Sequence, residues 1–295
     1  MKKALCAPEA SPEIVRYNSP GIPLYIQRDQ LALYPDMQAL CHWHEDLEFL
    51  CILDGFMNYS VNGKKVPLSK GSCLLVNSRQ IHYGFSENRQ DCDFVCIVFH
   101  PQLFTGNPIL YQKYILPVLE NPGLEYFLFP GEKEETASIR NMLCRIFALK
   151  EEGQTGYELE VIGLIDTLWS RLISGPIRLS SPSGKAPSND LSIQKDMVSF
   201  IHRHYAEKLN LASIAASGNV CRSKCCAMFK RYMRQSPIDF LNCYRLEVSR
   251  GLLENTSMNI TEIATSCGFN HLSYYSRLFL RNYGCTPGDY RKNQN

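Results

Sequence analysis

Between Tyr25 and Phe99, apolar residues come in short alternating runs broken by turn signals, which predicts strands over 47–53, 57–61, 72–76 and 94–99. Asp54-Gly55 reads as the turn after the first run and Asn62-Gly63 as the turn after the second. Asn-Gly is a strong hairpin signal because both central positions of the tightest hairpin turn need positive φ. Many short antiparallel strands suggest a small barrel or jelly roll. The period then becomes helical. Ile139, Met142, Leu143, Ile146 and Phe147 mark a helix over 132–151, and Val161, Ile162, Ile165, Leu168, Trp169 and Leu172 mark another over 157–173. Glu151-Glu152-Gly153 supplies a turn, so the two are expected to form an antiparallel pair. Each carries more apolar surface than one helix face needs, which suits packing on its own domain and, equally, on a second copy of the chain.

The pattern lapses at 174–190, where ten of seventeen residues are Ser, Gly or Pro, and this segment reads as a linker. Residues 191–204 resume as a helix, after which one pattern occurs twice. Ile214-Ala215 leads through Gly218 to a helix over 221–232 containing Met228-Phe229, and Ile263-Ala264 leads through Gly268-Phe269 to a helix over 272–283 containing Leu278-Phe279. Ala215 and Ala264 are 49 positions apart and Phe229 and Phe279 are 50 apart, so a helix-turn-helix unit is duplicated. Cys225, Met228 and Phe229, or Tyr275, Leu278 and Phe279, face inward as core. Between the units a helical run begins at Pro237, a residue suited to a first turn, and reaches Leu253. A rod of that length, about 27 Å, can hold two helices about 34 Å apart, one turn of DNA, so that both enter one side of a duplex.

Composition adds location and charge. The 295 residues are 45% hydrophobic and 20% charged, the balance of a globular protein in solution. No apolar stretch approaches the roughly 20 residues of a bilayer span, and the apolar run after Met1-Lys2-Lys3 stops at Pro8-Glu9, short of a signal peptide, so the expected location is the cytoplasm, with no membrane partner. Thirteen cysteines include no Cys-x-x-Cys pair. They are expected to be reduced, buried small hydrophobes, the group Cys221, Cys225 and Cys226 included, with a metal or redox role as the alternative there. The net charge of +2 hides an asymmetry: 1–189 hold 17 Lys and Arg against 21 Asp and Glu, whereas 190–295 hold 14 against 8. The basic excess of the last third points toward a polyanion.

His42, His44 and Glu48 lie on a segment expected to be extended, where even spacing sends them to one face, and His82 follows a later strand. Three imidazoles and a carboxylate could hold a divalent ion such as Zn, Fe, Mn or Ni. The spacing His42-Trp43-His44, Glu48, Gly55 resembles the first motif of the cupin superfamily with its six-residue gap intact. Gly71 and His82 match half of the second motif, while Asn77 and Arg79 stand where the family has Pro and Gly. The resemblance implies that His42, His44, Glu48 and His82 are metal ligands, contacts to an organic effector, or residues that satisfy one another inside the barrel.

The C-terminal third resembles the DNA-binding domain of AraC-type transcription regulators. The matching residues are Arg245-Leu246, Ile260, Ile263-Ala264, Gly268-Phe269, Tyr275, Phe279, Gly284, Thr286-Pro287 and Tyr290-Arg291-Lys292. The resemblance implies base contacts near the start of each reading helix, at Ser223, Cys226 and Ala227 and at Leu272, Ser273, Ser276 and Arg277. Cys226, Ala227 and Leu272 depart from a polar base reader, and apolar contact with thymine methyls is what they offer. Arg222, Lys224, Lys230, Arg231, Asn270, His271 and Arg281 complete the exposed faces, where Lys and Arg suit phosphates. The expected chain is thus an α+β two-domain protein: a cupin-like β-barrel with a helix pair (1–173), a linker (174–190), and an all-α double helix-turn-helix (191–295). Its expected function is that of a ligand-responsive transcription regulator without catalysis. It would bind double-stranded promoter DNA as a homodimer and sense a small molecule such as a sugar, most often as an activator working with RNA polymerase. The alternative is a metal-dependent cupin oxygenase or isomerase carrying an accessory DNA-binding domain.

Overall fold

Strand β1 (Leu24–Gln30) precedes a fifteen-residue strand, β2 (Leu47–Val61), around which the N-terminal half is organised. The computed structural model describes residues 15, 17–19, 21–175, 177 and 189–294. They fall into two compact units, one from the described residues of Pro12–Leu33 and Met37–Pro187 and one dominated by those of Ser188–Asn295. In the first unit β2 is followed by β3 (Lys64–Ser69), β4 (Cys73–Val76), β5 (His82–Phe85), β6 (Cys92–Phe99) and β7 (Tyr126–Phe129). Every pairing is antiparallel, and the main path runs β1-β6-β2-β4-β7.

The first half of β2 pairs with β6 and β4, and the second half with β3 and β5. Two sheets therefore share one strand. The ladder stays open, since β1 pairs with β6 alone and β7 with β4 alone among the described residues. The expected turn at Asp54-Gly55 is instead a β-bulge inside β2, with the register against β6 shifting between Ile52 and Asp54. Gly55 has φ 79°, and a Cβ there would lie 2.2 Å from the Asp91 carbonyl oxygen, so only glycine lets the strand pass. The expected hairpin at Asn62-Gly63 is present, with both residues at positive φ and Val61 paired to Lys64.

Short helical turns α1 (Pro108–Leu110) and α2 (Leu116–Leu119) flank a π-turn at Tyr111–Ile115. The helix pair is α3 (Glu134–Glu152) and α4 (Tyr157–Ser174), and Gly153 ends α3 in the left-handed region. Ile139, Leu143 and Ile146 of α3 and Val161, Ile165 and Leu168 of α4 are buried in one cluster with Leu47, Phe49 and Cys51 of β2. Each such side chain contributes about 1.5–3 kcal/mol by burial. The odd-numbered residues of the first half of β2 thus face the helices, leaving Glu48, Leu50 and Ile52 for the opposite face.

Most of the 174–190 segment, and the 1–14 start, lie outside the described residues. Helix α5 begins at Asn189, inside the stretch expected as linker, and runs to His204. Then come α6 (Leu211–Ser217) and α7 (Arg222–Met233), the long α8 (Pro237–Asn255), α9 (Ile260–Ser266) and α10 (Leu272–Tyr283), and α11 (Pro287–Gln294). The duplication extends to element lengths, seven and twelve residues in each unit. It extends to the caps as well: Asn210 and Asn259 each close a reciprocal capping box, a motif that satisfies two orphan N–H groups at once. The left-handed residue of the first unit is Asn219, φ 51°, not Gly218. Gly218 serves close approach instead, for a Cβ would meet Met197 and Ile193 of α5 within 3 Å.

Arg245 of α8 is buried and donates through Nε to the Tyr205 carbonyl and through Nη2 to the Glu207 carbonyl, both at 2.7 Å. Its guanidinium lies over the Phe269 ring. Gly268, φ 81°, packs on the same Tyr205 carbonyl: a Cβ would fall 2.7 Å from Tyr205 O and 2.8 Å from Arg245 Nη2. The loop entering the first unit is thereby joined to the turn of the second.

Candidate functional site

The four residues singled out for chemistry in the N-terminal half converge. One ligating atom from each of His42, His44, Glu48 and His82 lies within 4.8 Å of the others, and no other such group of His, Cys, Asp or Glu exists among the described residues. They arrive by a different route from the one expected. Only Glu48 stands on β2. His44 precedes a bend at 45–46 and His42 forms an isolated bridge to His82, the first residue of β5. The bridge hydrogen bonds, His42 N to His82 O and His82 N to His42 O, set these two imidazoles side by side, centroids 4.4 Å apart.

Each imidazole is anchored the same way. His42 Nδ1 donates to Leu40 O at 2.7 Å, His82 Nδ1 to Gln80 O at 2.8 Å, and His44 Nδ1 to Asp46 O at 3.2 Å. A carbonyl can only accept, so the proton of each neutral ring sits on Nδ1 and Nε2 presents a lone pair. His44 Nε2 and His82 Nε2 lie 3.4 and 3.2 Å from Glu48 Oε2. Two lone pairs against a carboxylate oxygen repel unless a cation, proton or metal, stands between them. Burial alone would push the Glu48 carboxyl up, but positive charge on His82 and His44 and hydrogen bonds from both hold it well below the usual carboxylate range, the protonated alternative to a bound ion. Side-chain exposure is 3% for His44, 5% for Glu48 and 1% for His82. Of the four, only His42 is half-buried rather than buried. Backbone-anchored Nδ1 atoms are the outer support that ligating histidines characteristically have, so the residues fit a divalent ion.

Three participants escaped the sequence reading. Tyr59 Oη donates to Glu48 Oε1 at 2.5 Å. Asp46, buried, accepts from Tyr17 Oη at 2.7 Å and has Oδ2 3.9 Å from His44 Nδ1. Asp46 was findable, two residues from His44; Tyr59 was not, because its approach depends on the bulge.

In the C-terminal unit the exposure of 221–227, the start of α7 and its lead-in, repeats over 271–277 position by position at an offset of fifty. Arg222, Ser223, Lys224 and Ala227 are exposed, as are Leu272, Ser273, Tyr274 and Arg277. Cys226 and Ser276 are half-buried at the edge, and Cys225, Phe229, Tyr275 and Phe279 are buried. Leu278 is half-buried where Met228 is buried. Lys230, Arg231, Asn270, His271 and Arg281 are exposed too. Lys224 is engaged, with Nζ 3.0 Å from Asp190 Oδ1. Exposed Tyr274 accepts from Asn242 Nδ2 at 3.2 Å and stands where the first unit has Lys224, a contact the sequence did not single out. Neither Cys221 nor His271 caps its helix with a side chain, which leaves backbone N–H groups and the positive end of the helix dipole for an anion. The Cys221, Cys225 and Cys226 group does not converge: Cys221 is exposed, and Cys225 lies in the core with its thiol pushed up to about 11 by burial.

Comparison with known proteins matches both units. Residues 35–168 fit a family model described as an AraC-like ligand binding domain, and residues 214–293 fit a helix-turn-helix domain. The chain is 29% identical over 251 residues to the HTH-type transcriptional regulator YdeC of Bacillus subtilis (strain 168), covering 85% of each chain. It is 23% identical over 254 residues to the HTH-type transcriptional activator RhaS of Salmonella typhimurium (strain LT2), covering 85% of this chain and 87% of that one. Among solved structures, unsaturated fatty acid bound ToxT from Vibrio cholerae shares the fold with TM-score 0.51 at 14% identity, over 94% of this chain and 97% of that chain.

Proposed function

Since the chain belongs to the AraC-type transcription regulators, with an effector-binding N-terminal domain and a helix-turn-helix DNA-binding domain, we propose that its effector site is the His42, His44, Glu48 and His82 cluster and that the effector is a divalent transition ion. The observation that carries this reading is the approach of His44 Nε2 and His82 Nε2 to Glu48 Oε2 with a ligating atom of His42 within 4.8 Å of them, each ring held through Nδ1 by a backbone carbonyl. Three nitrogens and an oxygen of this kind suit Zn, Fe, Co, Ni or Mn. The bound ion would neutralise the carboxylate and tie β5 to β2 and to the segment before it.

The tightness of the cluster supports sensing over catalysis, because catalytic metal sites keep an open coordination position beside a substrate cavity. The same tightness weighs against a sugar at these four side chains. A ligand of the ToxT kind, an unsaturated fatty acid, would need a different place in the domain.

At the other end of the chain, Ser223, Cys226 and Ala227 on α7 and Leu272, Ser273, Ser276 and Arg277 on α10 are the proposed base contacts. Arg222, Lys224, Lys230, Arg231, Asn270, His271 and Arg281 are the proposed phosphate and flanking contacts. We further propose the domain limits 1–173 and 191–295 joined by 174–190, dimerisation through the N-terminal domain, cytoplasmic location, and action as an activator that contacts RNA polymerase. The similarity to RhaS, a transcriptional activator, supports the last of these. No helix among the described residues is long and apolar enough to cross a membrane.

The test is fluorescence anisotropy with a duplex selected by the protein itself from random sequences, using metal-free and metal-loaded protein with metal counted by mass spectrometry. One ion per chain, lost in His44→Ala, with at least a fivefold change in operator affinity on loading, is the expected result. An affinity indifferent to a stoichiometric ion would sink the sensing role, because a ligand with equal affinity for two states shifts neither.

A further inference from the structure

We infer, resting on the reading that the cluster takes a divalent transition ion, that Tyr59 is a positioning residue that makes Glu48 a one-oxygen ligand. The site is then four-coordinate and prefers ions content with four donors, Zn(II) and Co(II), over ions that demand six, Mg(II) and Mn(II).

The two oxygens of Glu48 have separate occupations. Oε1 accepts from Tyr59 Oη at 2.5 Å, while Oε2 faces His44 Nε2 and His82 Nε2 at 3.4 and 3.2 Å. Tyr59 is 4% exposed, and its ring stacks on that of His82 at 6.0 Å and 22°. Turning Oε1 toward an ion would break the Tyr59 bond and strip a buried phenol of its strongest acceptor, a cost that bidentate binding must overcome.

The spacing agrees. Donors about 2.0–2.2 Å from a tetrahedral ion are about 3.3–3.6 Å from one another, and donors 2.1 Å from an octahedral ion are about 3.0 Å apart. The separations of 3.2 and 3.4 Å sit nearer the tetrahedral edge, and because the four ligating atoms spread to 4.8 Å the His42 side must draw in on binding. Octahedral coordination would also require two further ligands, and the burial of His44, Glu48 and His82 leaves only the half-buried His42 side from which they could come.

The experiment uses metal-free full-length protein and its Tyr59→Phe variant, which keeps the ring and removes only the hydroxyl. Each is titrated with Co(II), followed by visible absorption, and Zn(II) is then competed against Mn(II). Far-UV circular dichroism checks the fold. The wild type is expected to give the intense d–d bands of four-coordinate Co(II). Tyr59→Phe is expected to bind with weaker bands, as the carboxylate turns bidentate, and with a Zn(II)-over-Mn(II) preference reduced at least tenfold. Weak six-coordinate bands in the wild type overturn the inference whether or not the variant folds. So does a folded variant whose bands and preference match the wild type. Absence of Co(II) binding by the wild type is a separate result: it removes the ion itself, and the proposed effector with it.

Discussion

Tyr59 Oη lies 2.5 Å from Glu48 Oε1 although the two residues are eleven positions apart on one strand. Eleven extended residues span about 36 Å when straight, so β2 must turn back on itself between them. The bulge between Ile52 and Asp54, followed by Gly55 at positive φ, is the bend. Its extra residue also inverts the alternation, so that odd-numbered Tyr59 joins the face of even-numbered Glu48. Gly55→Ala sets a Cβ against Asp91 O in a backbone region that L residues avoid. We expect a loss of at least about 2–3 kcal/mol, read as a lower urea midpoint, together with loss of the bound ion. A midpoint within 0.5 kcal/mol of wild type would mean that the bend does not depend on glycine.

Loading the histidine cluster should stabilise the N-terminal domain by linkage. At a free ion concentration a hundred times Kd the gain is about 2.7 kcal/mol, visible as a rise in Tm that a chelator reverses. His82→Ala should abolish the rise, while His100→Ala, whose ring caps a turn at Gln102, should retain it.

Arg277 and Lys230 should separate base reading from phosphate attraction. Arg277→Ala is expected to cost about 1–3 kcal/mol on the selected operator and much less on unrelated DNA. Lys230→Ala is expected to weaken both alike and to lower the slope of log affinity against log salt by about one. The two titrations are done at several salt concentrations, and equal losses on both duplexes for Arg277→Ala would move it from base to backbone.

Gly268→Ala forces a side chain into a left-handed position already filled by Tyr205 O and Arg245 Nη2. We expect a loss of about 2 kcal/mol or more. Gly251→Ala, with open space around its Cβ in the middle of α8, should instead gain up to about 1 kcal/mol. Thermal melts of the two variants give the comparison, and similar melting points would contradict the packing at Gly268.

Much of this was legible in the sequence. The helix-turn-helix duplication could be found because its apolar positions recur at a fixed offset, and the structure repeats their burial at the same offset. The meeting of His42, His44, Glu48 and His82 was legible from spacing, although the extended geometry imagined for it was not the one used. What stayed hidden depends on contacts between distant positions. Asp54-Gly55 has the composition of a turn, and only pairing with β6 makes it a bulge. Tyr59 had no local reason to be distinguished from Met57 or Val61. Arg245 matched a family pattern, but its grip on the Tyr205 and Glu207 carbonyls is a tertiary fact.

That grip gives the protein a ruler. Because Arg245 and Gly268 bind the entrance of one helix-turn-helix unit to the elbow of the other, the distance between α7 and α10 is a property of the backbone, not of adaptable surface side chains. A promoter whose two recognition segments drift apart by a base pair cannot be followed by a small rotation of either probe. We therefore expect a one-base-pair change in operator spacing to cost more affinity, by anisotropy, than a single change of letter.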